Sequence, residues 1–142
     1  VKNGSEKLSF EEVIEQEQSR IKGEQEKMKN DNKYYSSIYH SLSYLTTGMY
    51  ANRLKRWLKY FSMEQILVLE NGEFLEDPER IYNQAVQFLD LPKWKLSKYE
   101  KFSKQQLSMD MNPKTRERLL EYCKPFNEEL YSIIGRKFDW NK

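Results

Sequence analysis

The segment between Met49 and Tyr60 combines guanidinium groups with aromatic rings, and it is the first place where this sequence could bind a ligand. Met49, Arg53, Arg56 and Tyr60 fall on one face of a predicted helix, and Tyr50 lies beside them. Arginine forks match sulfate, carboxylate and phosphate groups, so this face could hold an anionic or sugar-like ligand. The alternative is a solvated surface on which the arginine side chains lie over aromatic rings.

A second candidate cluster interleaves lysines with aromatic residues. The lysines are Lys93, Lys95, Lys98, Lys101 and Lys104, and the rings are Trp94, Tyr99 and Phe102. Such rings can stack on a nucleotide base while ammonium groups approach its phosphates. The alternative is a solvated lysine-rich loop that a few aromatic side chains fix in place. Residues 93–111 show no clear period, which predicts a long loop, and long loops in compact domains are usually functional or disordered.

Other kinds of reaction centre lack the residues they require. The single histidine, His40, and the single cysteine, Cys123, are far apart in the sequence and make no metal-ligand set. His40 is the sole imidazole for a Ser-His-Asp triad, and no nucleophile-elbow pattern is present. No Walker A sequence and no G-x-G-x-x-G occurs. We therefore expect no self-sufficient catalytic set and no metal site, and we interpret Cys123 as a buried structural thiol.

The composition is that of a helical protein with polar surfaces. The 142 residues suit one domain, with 38% hydrophobic and 32% charged residues. A formal net charge of +2 argues against a dedicated nucleic-acid-binding module. No apolar run approaches the roughly 20 residues that span a bilayer.

Apolar spacing and capping residues predict a series of helices. A capping box of Ser9 and Glu12 starts a helix over residues 10–29, which Gly23 weakens, and a second helix covers residues 34–46. The third helix places its inner face at Tyr50, Leu54, Trp57, Leu58 and Phe61. The fourth starts at Asp77-Pro78 and closes at Pro92. The fifth runs from Asn112 to about Cys123, and a last helix follows the break at Pro125 and ends at Gly135.

One short strand is predicted at about residues 65–70. Residues 66–69 are apolar at every position, which indicates a strand that is buried on both faces and therefore needs neighbouring strands. We find no other convincing strand in the sequence. The order of a helix, a buried strand and a capped helix is typical of one layer of a larger α/β enzyme.

Four segments, in this order, resemble parts of one enzyme family. They are L-S-F-E-E-V-I-E-Q-E at 8–17, G-M-Y-A-N-R-L-K-R-W-L-K-Y-F-S-M-E-Q-I-L-V-L-E at 48–70, D-P-E-R-I-Y-N-Q-A-V-Q-F-L-D-L at 77–91 and N-P-K-T-R-E-R-L-L-E-Y-C-K-P-F-N-E-E-L at 112–130. Together they resemble the carboxyl-terminal half of a sulfotransferase domain, of the type that includes heparan sulfate N-deacetylase/N-sulfotransferase and its bacterial relatives.

The resemblance implies an α/β fold of the P-loop-like sulfotransferase family, in which this chain is mostly helical apart from the short strand. Residues 1–142 would be the carboxyl-terminal part of a single domain, with the phosphosulfate loop, the 3′-phosphate site and the partner strands upstream of Val1. It implies transfer of a sulfuryl group from 3′-phosphoadenylyl sulfate (PAPS) to a hydroxyl or amine of a carbohydrate-like or small-molecule acceptor. We expect the chain alone to be inactive.

The resemblance also implies roles for individual residues. Met49, Tyr50 and Arg53 fall where the family binds its acceptor, and Arg56 belongs to the same mixed face. No catalytic residue is assigned.

Lys101 and Lys104 fall where a carboxyl-terminal loop of the family closes over the cofactor, so the site for PAPS or its product PAP is expected to be incomplete in this chain. We expect either a dimer or association with the missing amino-terminal part, and no nucleic-acid or membrane partner. The location would be the cytoplasm in a bacterium and the Golgi lumen in an animal. The alternative function is a non-enzymatic helical protein-interaction module.

Overall fold

A computed structural model of the chain describes residues 7–99 and 111–140. These residues form α-helices and one 3₁₀ turn. The helices are α1 (Phe10–Arg20), α2 (Glu24–Asn30), α3 (Ser37–Leu42), α4 (Tyr44–Gly48), α5 (Tyr50–Trp57), α6 (Asn71–Glu76), α7 (Pro78–Phe88) and α8 (Pro113–Ile134), and the 3₁₀ turn is Met63–Gln65. The chain divides into two compact units, with the boundary between Tyr50 and Ala51.

The predicted capping box starts α1 in the first unit. Ser9 donates its backbone N–H to Glu12 Oε2 at 2.8 Å, and Glu12 donates its backbone N–H to Ser9 Oγ at 3.3 Å. The prediction of one helix over residues 10–29 is wrong, because a break separates α1 from α2. Gly23 adopts a left-handed conformation there, with φ of 78°, and glycine accepts that conformation because it has no Cβ.

Two short helices, α3 and α4, replace the single helix predicted over residues 34–46. Ser36 caps α3, since its hydroxyl accepts the backbone N–H of Tyr39 at 3.0 Å. Ser43 separates the two helices with φ of −91° and ψ of 66°, and its hydroxyl lies 3.1 Å from that of Thr47. Serine side chains compete for backbone hydrogen bonds, so a serine-rich segment divides into short helical turns.

The interior of the first unit is small and partly ionic. Val13, Ile14 and Ile21 are its buried aliphatic side chains, and Glu17 and Glu24 are buried with them. Positions 13, 17, 21 and 24 follow one another at helical spacing, so the two glutamates continue the apolar stripe. The unit is therefore organised around two carboxylates as well as around apolar packing.

The second unit is built around α5 and α8. Ala51, Leu54 and Leu130 form its buried apolar cluster. Partly buried side chains pack against this cluster: Leu58, Ile66, Ile133, Ile134 and Trp140. Residues from both ends of the unit thus share one core.

Residues 66–70 are extended but do not form the predicted strand. Ile66 has φ of −121° and ψ of 114°, yet residues 7–99 and 111–140 contain no strand. Leu67 and Leu69 are 37% and 39% exposed, so the segment is not buried on both faces. A strand forms its ladder with a neighbouring strand, and the described residues supply none. The mostly helical architecture is confirmed, and the assignment to an α/β fold stays a prediction.

Helix α7 starts as predicted, because Asp77 Oδ1 accepts the backbone N–H of Arg80 at 3.0 Å. Ile81 and Val86 of the predicted inner stripe are buried, whereas Leu89 is 61% exposed. The sequence did not predict α6, which precedes α7.

Helix α8 continues through Pro125, where a break was predicted. Proline has no N–H, so the carbonyl of Glu121 loses its donor within the helix. Pro125 and Glu121 are both exposed, which leaves that carbonyl accessible to water. Leu130 is only 4% exposed and fixes the second half of the helix to the core. The helix ends at Gly135, with φ of 67°, as predicted.

Candidate functional site

Helix α5 buries one face and exposes the face that carries the predicted arginines. Ala51 is fully buried and Leu54 is 9% exposed, and Leu58 packs against the same cluster. Arg53 and Arg56 are both exposed, three residues apart, on the other side of the helix. The structure therefore brings these two predicted residues together on one solvent-facing surface.

Trp57 belongs to this exposed face, and its prediction as a core residue is wrong. Its side chain is 60% exposed, and its ring centroid lies 5.6 Å from that of Phe61. On an ideal helix Trp57 lies about 40° from Arg53 around the axis, so the two residues lie on the same side of the helix. The sequence feature that could have indicated the exposure of Trp57 is Ala51, one turn before Leu54, because this small residue occupies the inner position of the helix.

We define the exposed face of α5 by Arg53, Arg56 and Trp57. Two guanidinium groups can bind an anionic substituent through paired hydrogen bonds. A flat, exposed ring beside them can pack against the apolar face of a sugar. These three side chains include no carboxylate, imidazole or hydroxyl, so they could bind a ligand but offer no base or nucleophile.

Met49 and Tyr50, the other two predicted acceptor residues, belong to the first unit. Met49 is half-buried at the end of α4, and its N–H donates to the carbonyl oxygen of Thr46 at 3.4 Å. Tyr50 starts α5 and is 52% exposed. Met49 therefore depends on how α4 is held, and Tyr50 follows it directly in the chain.

Glu17 holds the start of α4, a role that the sequence did not predict. Its side chain is fully buried. One carboxylate oxygen accepts the N–H of Leu45 at 2.6 Å, and the other accepts the N–H and the hydroxyl of Thr46 at 2.8 and 2.7 Å. Both oxygens thus have partners, which is the condition for a stable buried carboxylate.

Glu24 forms a second buried network in the same unit. It accepts hydrogen bonds from Lys27 Nζ at 2.6 Å, from the Tyr34 hydroxyl at 2.9 Å and from the Ser36 hydroxyl. The hydrogen bond from Lys27, followed by those from Ser36 and Tyr34, lowers the pKa of Glu24 from 4.5 to about 2. This carboxylate fastens α2 to the segment before α3.

Part of the predicted lysine-rich cluster can be located. Lys93, Lys95 and Trp94 are exposed, and the Trp94 side chain is 69% exposed. The Tyr99 ring packs edge-on against Tyr82, with centroids 6.0 Å apart.

The two lysines with a proposed cofactor role, Lys101 and Lys104, lie outside the described residues. Their predicted role is therefore untested.

An open depression of about 420 Å³ lies at the carboxyl-terminal end of α8. Its lining consists of Glu128, Tyr131, Ser132, Gly135, Arg136 and Lys137. Arg136 forms an ion pair with Glu73 and lies 4.9 Å from the Phe138 ring centroid. The lining mixes both signs of charge and contains none of the predicted site residues, so it does not favour an anionic ligand.

The described residues contain no group of three or more His, Cys, Asp or Glu side chains that could hold a metal ion. None of the helices that these residues form is long and apolar enough to cross a membrane. Cys123 is half-buried, and burial raises the pKa of its thiol, which suits the predicted structural role.

No protein-family model matches the chain. Among curated proteins, the chain is 29% identical over 109 residues to the membrane-associated sulfotransferase kil1 of Dictyostelium discoideum, covering 73% of this chain and 23% of that protein. It is 27% identical over 116 residues to heparan sulfate glucosamine 3-O-sulfotransferase 5 of Homo sapiens, covering 66% of this chain and 33% of that protein.

A solved structure is also similar. The sulfotransferase from Alicyclobacillus acidocaldarius matches with a TM-score of 0.64 at 28% identity, over 94% of this chain and 45% of that chain. The chain thus spans less than half the length of each of these three relatives. The resemblance to sulfotransferases predicted from the four segments is confirmed over most of the chain.

Proposed function

We propose that this chain is part of a sulfotransferase that transfers a sulfuryl group from PAPS to a hydroxyl or amine of a carbohydrate-like or small-molecule acceptor. The observation that carries the proposal is the match to the bacterial sulfotransferase, which has a similar fold and 28% identity over 94% of the chain. Two curated relatives are also named as sulfotransferases. The relative named for heparan sulfate glucosamine supports a carbohydrate acceptor.

We infer that the chain contributes the carboxyl-terminal part of one sulfotransferase domain. The alignments span 23% to 45% of these relatives, which supports a part rather than a whole domain. The extended, half-exposed residues 66–70 fit the same view, because they would become a strand beside neighbours from the rest of that domain. For its location we infer the cytoplasm if the source is bacterial and the Golgi lumen if it is animal.

We infer that the described residues hold at most part of a PAPS site. Helix amino termini commonly bind phosphate, but here several of them are already capped by the chain's own side chains. Ser9, Ser36, Glu70, Asp77 and Asn112 each accept a backbone N–H at the start of a helix. The sequence also contains no Walker A pattern. We therefore derive no step of the transfer from these residues, and Lys101 and Lys104 remain candidates for closing over the cofactor.

The acceptor is the ligand to which these residues would contribute. We propose that Arg53 and Arg56 hold an anionic substituent of the acceptor and that Trp57 packs against its ring. Met49 and Tyr50 are proposed as further acceptor contacts. The exposure of both arginines beside an exposed ring supports this role.

A transfer assay with the full-length protein that contains this sequence tests the proposal. Radiolabelled PAPS is offered with de-N-sulfated heparin, with heparan sulfate and with simple phenols and amines. We expect labelling of at least one carbohydrate acceptor. Failure to label any acceptor would overturn the proposed function.

Paired variants then test the acceptor role of α5. Arg53→Ala and Arg56→Ala should each raise the acceptor KM about tenfold or more, because each removes a charge-assisted hydrogen bond. Lys59→Ala is the matched control, since it removes an exposed cation outside the proposed face. An equal effect of all three variants would reduce the role of α5 to general positive charge.

Titration of the isolated chain with PAP tests the incomplete cofactor site. We expect no binding in the micromolar range. Micromolar binding would show that this chain holds a cofactor site of its own.

The similarity to sulfotransferases supports that function over the alternative, a helical protein-interaction module. If the full-length protein were a stable monomer without transfer activity, the interaction module would be favoured instead.

A further inference from the structure

Hydrogen bonds from the start of α4 to Glu17 connect α4 to α1 within the first unit. The carboxylate is fully buried, and it accepts three hydrogen bonds from Leu45 and Thr46. Two of these donors are backbone N–H groups at the start of α4, where a helix leaves its N–H groups unpaired. A carboxylate is the side chain that can accept all three hydrogen bonds at once.

Thr46 connects Glu17 to the candidate acceptor residue Met49 through hydrogen bonds. Its N–H and hydroxyl donate to Glu17, and its carbonyl oxygen accepts the N–H of Met49 at 3.4 Å. The path from the carboxylate to Met49 therefore runs through one residue and three hydrogen bonds. Gly48 and Tyr50 flank Met49 in the chain, so their positions follow from the same constraint.

We propose that Glu17 is a positioning residue for acceptor binding. It fixes α4 so that Met49 and Tyr50 meet the acceptor, without touching the acceptor itself. This inference rests on the proposed function. It adds a residue from α1, about thirty positions upstream in sequence, to the determinants of acceptor affinity.

Glu24 provides the internal comparison that separates positioning from stability. It is buried in the same unit and accepts three side-chain hydrogen bonds, but its partners are Lys27, Tyr34 and Ser36. All three partners lie outside α4. Loss of Glu24 should therefore weaken the unit and leave Met49 in place.

Kinetics of the full-length protein test the inference. Glu17→Gln keeps the size of the side chain but turns an amide N–H₂ toward a donor of α4. We expect its acceptor KM to rise on the order of tenfold, with kcat and the PAPS KM changed by less than about twofold. Thr46→Val removes one donor only and should give a smaller rise. Glu24→Gln should leave the acceptor KM within about twofold of the parent.

Hydrogen–deuterium exchange separates the possible failures. In Glu17→Gln the amides of residues 45–49 should exchange faster, and in Glu24→Gln those of residues 24–36 should do so. An unchanged acceptor KM in Glu17→Gln, or an equal rise in Glu24→Gln, would overturn the positioning role. A parent protein without any transfer would instead overturn the proposed function, and the exchange data would still show whether Glu17 holds α4.

Discussion

Each of the two units of this chain is stabilised internally by a different kind of buried group. The first is fastened by the carboxylates of Glu17 and Glu24, each of which accepts three hydrogen bonds. The second is built on the apolar cluster of Ala51, Leu54 and Leu130. The candidate acceptor residues are divided between them, with Met49 and Tyr50 in the first unit and both arginines in the second.

This difference has a consequence for how accurately each unit can present a side chain. Apolar packing is non-directional and roughly proportional to the buried area, so side chains of similar volume can replace one another. A buried carboxylate depends on the position of each donor, and one unpaired partner costs the desolvation of that group. The first unit should therefore be more precise in geometry and less tolerant of substitution.

Truncation of a core side chain in the apolar unit should cost the most stability. Leu130→Ala should lower the free energy of unfolding by about 3 kcal/mol, because it removes a side chain that is 4% exposed and leaves a cavity. Urea denaturation measures the loss, and hydrogen–deuterium exchange should locate it in α5 and α8. Glu128→Ala, at an exposed position of the same helix, is the control. A loss below about 1 kcal/mol would mean that the cluster does not carry the second unit.

Substitutions that keep side-chain size should cost less, and by different amounts in the two units. Glu17→Gln should cost about 2 kcal/mol, because the amide cannot accept from every donor of α4. Leu130→Met should cost about 1 kcal/mol, since the volume is nearly unchanged. Both variants are compared with the parent chain by urea denaturation. If the two losses of stability were equal, directional hydrogen bonds and non-directional apolar packing would not differ in their tolerance of substitution.

Local signals in the sequence predicted two of the helix starts correctly. The Ser9–Glu12 capping box and the cap at Asp77 were both predicted, because each depends on residues three positions apart. The resemblance to sulfotransferases was likewise evident, since it depends on the order of four segments. The exposed arginines of α5 followed from helical spacing alone.

Features that depend on distant partners were not predicted. Glu17 stands in a helix rich in Glu and Gln, and its register with Val13 and Ile21 indicates burial only once its partners on α4 are known. The prediction of a strand at 65–70 was wrong because it assumed a neighbouring strand, and the described residues contain none. Trp57 was assigned to the core from its helical spacing with Leu54 and Leu58, although Ala51 occupies the inner position.

Glu24 gives the last test, in which acid weakens one of the two carboxylate networks. Its pKa is lowered to about 2, chiefly by the hydrogen bond from Lys27. A carboxylate with a lowered pKa stabilises the folded state fully above its unfolded pKa, near 4.5, and this contribution is lost as the pH falls toward about 2. At neutral pH the network should therefore be intact.

The melting temperature of Glu24→Gln and of the parent chain should accordingly converge between pH 4.5 and about 2. The parent chain contains other carboxylates with a lowered pKa, such as Glu12 and Glu70, so its own acid sensitivity does not identify Glu24. The difference between the two proteins does, because Glu12 and Glu70 are common to both. A difference that stays constant across this window would mean that the ionised carboxylate of Glu24 does not fasten the first unit. The first unit would then be stabilised mainly by packing, as the second unit is, and not by the charge of Glu24.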